Sequence, residues 1–489
     1  MAVFTSSLVV PHPLHTVFDW HRRPGALTRL SPEWAMQIEQ EAEPLTPGSQ
    51  ASMKITLPGT HGLVRTPFSV EHAAGPSEHS FIDRQVRGPL SSWEHTHTFT
   101  EVTGAESVGS AFTRIDDHID YSFAPGILPG ASEIDAAAME PTLRAIFNAR
   151  SERLLADLAY QDELTAIGGP ERKKVLIAGA SGTVGSQVAA LLSTGGHEVR
   201  TLVRDTPRKA SEIKWNPDLG ILDPSALAWA DVVIHVGGAT IGTRFSPAAK
   251  DRIMRSRRDS TKLIVLTMEQ LSETRRPEAF ICASAIGYYG YDRGDEELSE
   301  DAGSGGGFLA EVCRAWEEEA AKAEALGVRW VSVRTAQVLT ALSGPLRLQL
   351  PLYLSGLGGR IGTGQQWMSW ISLDDIARIY ARAAVDPTMS GPVNAAAPQP
   401  VRQAEFAQAL AGLASMPAFV QTPRLGPEML LGKQAAQELV LADQRVVPTR
   451  LGELGYRFRY PEIRQAMADA LGFPTRPAPR ARPNRKDTP

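Results

Sequence analysis

Cysteine is almost absent: Cys282 and Cys313 are the only two in 489 residues. Two thiols cannot build the disulfide framework of a small secreted domain, and they suit a reducing compartment. Also missing is a basic N-terminal region followed by a long apolar run, so no signal peptide is expected. No stretch approaches the length of a membrane helix, so no membrane association is expected. There is no excess of positive charge. The formal net charge is -5, which gives no support for nucleic-acid binding. No internal repeat is visible. These absences point to a cytoplasmic globular protein with a small-molecule partner. The chain is too long for one ordinary core, so two or three domains are expected. With 43% apolar and 21% charged residues, it has enough material to build them.

Glycine is well placed. In Lys173-Lys-Val-Leu-Ile-Ala-Gly-Ala-Ser-Gly-Thr-Val-Gly185, an apolar strand runs into a loop and then into a helix through Leu192. Gly179 permits the sharp turn. Gly182 lets backbone approach a pyrophosphate, and Gly185 lets helix pack on strand. Ser181, Thr183 and Val184 fill the positions between and are expected to touch the same ligand. The helix N-terminus offers free N–H groups and a positive dipole end to phosphate. A second apolar strand, His197–Val203, completes the context that a dinucleotide site requires. That strand leads to Arg204, with Arg208 and Lys209 beyond it. An Arg at this position suits the 2′-phosphate of NADP, whereas an acidic residue suits NAD. Asp205 points the other way, so NADP is expected and NAD stays possible.

About 160 residues precede this loop and need their own explanation. Phe4–Val10, Gln50–Leu57, Arg65–His72, His79–Arg87, Trp93–Val102 and Ser110–Ser122 read as strands. Leu14–Trp20 reads as a short helix. Glu133–Ala159 carries Leu143, Ile146, Phe147, Leu154, Leu155 and Leu158 at helical spacing on one face. A curved antiparallel sheet closed by this helix would enclose a cavity. In Trp93-Glu-His-Thr-His-Thr-Phe99, residues Trp93, His95, His97 and Phe99 share one face. Two histidines two apart on a strand suit a metal if a third ligand exists. Asp116, Asp117 and His118 are the candidates by residue type, but none is convincing. The favoured reading has no metal, with the histidines lining a cavity or satisfied within the sheet.

These first residues resemble the START-like superfamily (helix-grip, SRPBCC, polyketide cyclase/dehydrase-like). The resemblance rests on the element order and on Val17-Phe-Asp-Trp-His-Arg-Arg-Pro-Gly-Ala26, Arg29-Leu-Ser-Pro-Glu-Trp34 and Gly88-Pro-Leu-Ser-Ser-Trp-Glu-His95. It implies an α+β helix-grip domain over residues 1–162 with a cavity for a hydrophobic ligand, often without catalysis. A linker is expected over 163–172.

In the second half, Ala230-Asp-Val-Val-Ile-His-Val-Gly-Gly-Ala239 is a buried strand ending in Gly237, Gly238 and Ala239, small enough for backbone to lie against a dinucleotide. Ala279-Phe-Ile-Cys-Ala-Ser-Ala-Ile-Gly-Tyr-Tyr-Gly290 is the next strand, with Ser284, Tyr288 and Tyr289 at its end. In hydride-transferring enzymes of this architecture a Ser or Thr orients the substrate oxygen and a Tyr passes its proton. A Lys is needed because an unassisted Tyr, with a pKa of about 10, is a poor base at neutral pH.

Residues 173–471 resemble the epimerase family of atypical, extended short-chain dehydrogenases with a C-terminal DUF1731-type domain. The matching runs include the glycine loop, Arg252-Ile-Met-Arg-Ser-Arg257, Ser284-Ala-Ile-Gly-Tyr-Tyr-Gly290 and Phe308-Leu-Ala-Glu-Val-Cys-Arg-Ala-Trp-Glu317. Gly364-Gln-Gln-Trp-Met-Ser-Trp-Ile371, Gly391-Pro-Val-Asn-Ala395 and Arg457-Phe-Arg-Tyr-Pro461 also match. The resemblance implies an α/β Rossmann domain, a doubly wound parallel sheet, over 173–473. A small substrate lobe would begin near Leu342, with its helical part at about 424–471. The tail 474–489, rich in Pro and Arg, is expected to be disordered.

The chain departs from the family in one respect. The Tyr-x-x-x-Lys pair of extended dehydrogenases falls near Leu309 and Cys313, neither of which can do the chemistry. Gly287 stands where many epimerases carry the catalytic Ser or Thr. Ser284, Tyr288 and Tyr289 are therefore the catalytic candidates. Ser284 is also a candidate cofactor contact, its bland alternative being a strand-end hydrogen bond. Trp367 and Trp370 are candidate substrate walls, although tryptophans are more often core. Asp374 and Asp375 read as helix caps. The acidic run Asp295–Asp301 reads as a solvated loop, or as a lid hinged at Gly303–Gly307. The leading expectation is an NAD(P)-dependent epimerase or oxidoreductase acting on a small molecule. Its rivals are a non-catalytic NADP(H) sensor or hydrophobic-ligand binder, and a scaffold that uses neither pocket.

Overall fold

The computed structural model describes residues 1–102, 111–123, 131–418 and 420–474, with 131–138 described by backbone alone. From residue 475 onward the expected disordered tail lies outside the described residues.

The N-terminal half is a seven-stranded antiparallel sheet. Its strands are β1 (Ala2–Val10), β2 (Met36–Gln40), β3 (Gln50–Thr56), β4 (Arg65–Ala74), β5 (Ser80–Arg87), β6 (Leu90–Val102) and β7 (Phe112–Phe123). The spatial order is β1-β7-β6-β5-β4-β3-β2. Each strand pairs with its sequence neighbour, except that β1 returns to close against β7. Alternation sets one face inward: along β6, His95, His97 and Phe99 are buried while the residues between them are not. The helix Ala131–Gly168 packs on β1 and β7. It sets Leu143, Phe147, Leu154 and Leu158 against the sheet.

That helix corrects the expected linker. It runs on through 163–168 because Tyr160 and Leu164 are buried in the core of the second half, so the helical face stays useful past residue 162. β2 and the helix Ala26–Leu30 were not anticipated, each being too short to show a period.

The second half is a seven-stranded parallel sheet. It contains β8 (Lys174–Ala178), β9 (Glu198–Val203), β10 (Glu212–Lys214), β11 (Val232–His235) and β12 (Ala279–Ala285). After β13 (Asp292–Leu298), which lies outside this sheet, come β14 (Arg329–Thr335) and the strand Gly391–Ala395. The order is β10-β9-β8-β11-β12-β14 and then Gly391–Ala395. The chain winds outward in both directions from the gap between β8 and β11, and a doubly wound sheet opens its ligand crevice at such a switch point. Val175, Leu176 and Ile177 are fully buried because helices cover both faces. Helices Leu425–Leu431, Lys433–Leu439, Thr449–Glu453 and Ile463–Leu471 form most of the C-terminal lobe. Among the described residues no helix is long and apolar enough to cross a membrane.

The acidic run is neither a solvated loop nor a free lid. β13 pairs in parallel with Asp443–Val446. Glu300 is buried and accepts from the backbone N–H of Asn394 at 3.0 Å.

The two halves meet through buried charge. Asp374 accepts hydrogen bonds from Arg29 and Arg153 of the first half and from Arg378 and Arg459, each at 3.0 Å, of the second. Burial opposes its charge, but the arginines hold its carboxyl well below the usual range. Asp374 is thus the hub of an interface. Ser372 caps its helix by accepting from the Asp375 N–H at 2.9 Å, which corrects the expectation that the aspartates are the caps. Arg29 also donates to Asp157 at 2.7 Å and to Gln187 at 2.8 Å, and Gln187 lies on the helix Thr183–Thr194. Gly25 touches that same helix: a Cβ there would lie 2.5 Å from the Cα of Ala190.

Candidate functional site

The glycine loop sits at the switch point. Gly179 has a φ of +94° and lies so close to the end of β11 that a Cβ would stand 2.6 Å from the Gly237 nitrogen. Gly185 packs on the turn itself, where a Cβ would meet the Gly179 carbonyl oxygen at 2.2 Å. Gly182 is more open and leads into the helix Thr183–Thr194 without a side-chain cap. Among the described residues, the first N–H groups of that helix have no side-chain cap. Thr183 Oγ1 lies 3.0 Å from Ser343 Oγ, across from the lobe.

The turn after β11 is held from behind by the helix Pro247–Glu269. Arg257 donates to the Ala239 carbonyl at 3.0 Å, and Ser256 accepts from the Ala239 N–H at 2.9 Å. The Arg257 guanidinium fills the space beside Gly238, where a Cβ would lie 2.9 Å from it. His235, buried at the end of β11, shares a hydrogen bond with Ser260 at 2.8 Å. Burial lowers its pKa to about 4, so it is neutral. Arg204 follows β9 directly and is exposed, as are Asp205, Arg208 and Lys209. Among the described residues Arg204 has no hydrogen-bond or ion-pair partner.

The Ser and Tyr candidates lie at the end of β12. Ser284 donates to Glu317 at 2.6 Å. Arg334 clamps the same carboxylate with two bonds, at 2.9 and 2.8 Å, and donates to the Tyr289 oxygen at 2.9 Å. Tyr289 is fully buried and donates to Asn394 at 2.7 Å. Burial outweighs the pull of Arg334 and pushes its phenol up to about 12. Ser284 and Tyr289 are thus brought together, but as members of a closed buried network anchored on Glu317 and Arg334. Only Tyr288 remains half-buried with no hydrogen-bond partner for its hydroxyl among the described residues. Its ring lies under the Arg334 guanidinium, 3.6 Å from ring centre to carbon.

The helix Phe308–Ala321 brings Leu309 and Cys313 beside this turn. A Cβ on Gly287 would stand 3.3 Å from the Leu309 Cβ and 3.7 Å from the Cys313 sulfur. Cys313 is buried, and burial pushes its thiol up to about 11, so it offers no thiolate at neutral pH. The partners of the network, Glu317, Arg334 and Asn394, fall in runs that carry the family resemblance but were given no role in the sequence. Their one signal is a charged or amide residue in an otherwise apolar strand or helix face.

The two tryptophans part company. Trp370 is fully buried in the lobe and donates to the Gln399 carbonyl at 3.0 Å, so it cannot wall a substrate. Its strand, Trp370–Ser372, pairs with Gln337–Leu339 and turns its side chains into the core. Trp367 is half-buried, bonds Asp295 at 2.7 Å and stacks with Arg402 at 3.8 Å.

In the first half, His95 and His97 face a cavity of about 690 Å³. Asp83 on β5 stands opposite His95, and Asp117 on β7 opposite His97. Atoms of Asp83, His95 and His97 able to bind a metal lie within 4.8 Å of one another. Sequence reasoning missed Asp83 because only strand pairing brings it near. Asp116 turns outward to Ser7 and Arg114, and His118 outward to Asp120. His95 Nε2 lies 2.9 Å from Asp117, while His97 lies 2.8 Å from Asp117 and 3.4 Å from Asp83. Burial, with His97 nearby, lowers His95 to about 4. Burial also opposes a charge on His97, yet the two aspartates win and raise it. The two histidines are therefore held mainly by Asp117, with Asp83 close beside His97.

Residues 175–395 match the NAD dependent epimerase/dehydratase family, and residues 422–470 match a domain of unknown function, DUF1731. An epimerase family protein of Mycobacterium bovis is 37% identical over 302 residues, 62% of this chain and 97% of that one. The crystal structure of a nucleoside-diphosphate sugar epimerase from Corynebacterium glutamicum overlays with a TM-score of 0.74 at 33% identity. It covers 96% of this chain and 90% of its own, so the overlay takes in the N-terminal half as well. Human epimerase family protein SDR39U1, solved with NADPH, overlays with a TM-score of 0.53 at 26% identity, covering 61% of this chain and 99% of its own. The glycine loop at the switch point and the extent of these matches show that the chain belongs to the epimerase family.

Proposed function

We propose that residues 173–473 bind NADP(H) and act as an epimerase-like oxidoreductase on a small molecule, and that residues 1–162 form a START-like helix-grip unit holding an apolar ligand. The carrying observation for the first part is the glycine loop. Gly179, Gly182 and Gly185 bring backbone and an uncapped helix N-terminus to the crevice between β8 and β11. Gly237, Gly238 and Ala239 line its other side. Ser181, Thr183 and Val184 are the adjacent contacts. Arg204, unpaired at the end of β9, supports the 2′-phosphate of NADP over NAD, and the human relative was solved with NADPH. The bound dinucleotide would supply hydride chemistry. This chain's own residues would orient it and, through Tyr288, hold a proton at a free phenol beside Arg334.

A second reading has its own observation. Leu309 and Cys313 occupy the place beside Gly287 where a proton-transfer pair would stand. That supports a protein which binds NADP(H) without turning it over.

The test is a titration of the purified protein with NADPH, NADP, NADH and NAD, repeated for Arg204→Asp. One charge-assisted contact is worth roughly 1.5–3 kcal/mol, so the native protein should prefer the phosphorylated cofactor by about ten- to a hundredfold. The variant should lose that preference while still binding NAD(H). No dinucleotide binding at all would defeat the proposal. Equal affinity for all four would remove the role of Arg204 alone.

A further inference from the structure

The N-terminal cavity falls within the ~300–1,000 Å³ usual for small-molecule sites. Its walls are mostly carbon, from Met53, Phe68, Phe81, Trp93 and Phe147. Leu471 and Gly472 of the second half complete its lining. Most polar groups that reach it are already committed. Glu41 accepts from the Gly25 N–H at 2.6 Å and the Thr28 N–H at 2.9 Å. Arg23 donates to the Thr194 carbonyl at 2.7 Å. Asp83 is ion-paired with His72 and His97.

Arg150 is the uncommitted cation among them. It projects from the helix Ala131–Gly168 into the cavity lining. Its guanidinium lies 5.1 Å from the centre of the Phe147 ring, and among the described residues it has no hydrogen-bond or ion-pair partner. Five N–H donors in a planar fork are thus left facing a carbon-lined space. Burying such a group without a partner is costly, and the cost is relieved by an anion of matching shape. A carboxylate fits the fork with two parallel bonds. Asp83 and Asp117 lie close enough to act on Arg150 electrostatically, but Asp117 is turned to His95 and His97 and Asp83 stands beside His72 and His97, and neither bonds the guanidinium.

We propose that the cavity takes an apolar molecule bearing one carboxylate, and that Arg150 receives the carboxylate while the hydrocarbon part lies against Met53, Phe68 and Trp93. This rests on the reading of residues 1–162 as a ligand-holding unit and narrows it to a chemical class.

The experiment uses the full chain and two fluorescent probes, cis-parinaric acid and its methyl ester, which differ in the charge of one end. Bound acyl chains are first removed by delipidation. The native protein should bind the acid about ten- to a hundredfold more tightly than the ester, as expected for a hydrogen bond to a charged group. Arg150→Met, which keeps bulk and removes charge, should bind both equally, at the native ester affinity. Retained ester binding shows that the variant is folded and its cavity intact. If the native protein binds acid and ester alike, the carboxylate assignment is wrong although the cavity holds apolar ligands. If it binds neither, the ligand-holding reading itself fails, and this inference with it. An unchanged acid preference in Arg150→Met would also overturn the proposal.

Discussion

Replacing Asp374 by Asn should unfasten the two halves of the protein. The side chains of Asp374 and Arg29 are almost wholly shielded from water, and Asp374 is the shared acceptor for Arg29, Arg153, Arg378 and Arg459. An amide keeps the volume but removes the charge. Arg29 keeps Asp157, and Arg153 keeps Asp469 at 3.5 Å, but Arg459 has no other carboxylate partner among the described residues. Leaving buried charge unbalanced in this way costs about 3–5 kcal/mol. At roughly 1–2 °C per kcal/mol for a chain of this length, the melting temperature should fall by about 5 °C. Calorimetric melting at pH 7 of the native protein, Asp374→Asn, Arg459→Met and the double variant tests this. The double variant should be more stable than the sum of the single losses by about 1 kcal/mol or more, because it removes a stranded charge together with its partner. A fall of less than about 2 °C in Asp374→Asn, or strict additivity in the double variant, would refute the reasoning.

Three further outcomes are expected. Glu33 accepts hydrogen bonds from Thr340 and from the Ala341 N–H, and burial raises its pKa to about 7. Because the folded value exceeds the ordinary 4.5, the fold is favoured while Glu33 stays protonated and loses stability as pH climbs from 4.5 through 7. Glu33→Gln should therefore melt progressively higher than the native protein across that window, and a constant difference would count against it. Gly185→Ala forces a methyl to 2.2 Å from the Gly179 carbonyl oxygen, so the loop must shift. NADPH affinity should drop more than about tenfold by isothermal titration, with an overpacking cost of about 1–3 kcal/mol; undiminished affinity would separate this loop from the cofactor. Tyr289→Phe strips a partner from both Arg334 and Asn394 and should cost about 1–3 kcal/mol in denaturant unfolding, whereas Tyr288→Phe should cost almost nothing.

The parallel sheet and its glycine loop were legible because their signals are local: an apolar run, glycines at fixed offsets, and a helix. The strands of the first half were legible from alternation for the same reason. The readings that failed depended on partners distant in sequence. Asp374 looked like a helix cap because nothing near it in the chain announces Arg29 or Arg153. Trp370 looked available for a substrate because a two-residue step from Trp367 does not reveal which of the pair faces inward. Asp83 escaped notice because its partner His95 is twelve positions away and meets it only across a strand pair. The run at Asp295–Asp301 looked soluble, and its charges mostly are. Its backbone, however, is claimed by Asp443–Val446, which periodicity cannot foresee.

The shared aspartate has a consequence for how such a chain is inherited. A gene cut between residues 168 and 174 would leave buried charges of this seam unanswered on both sides. One fragment would carry Arg29 left with Asp157 alone and Arg153 stripped of both Asp374 and Asp469, the other Asp374 stripped of two of its four arginines. Once a single carboxylate answers to both halves, the fusion works like a ratchet. Drift in one half must be answered by the other, and a recombination event that exchanges only one half delivers a mismatched seam.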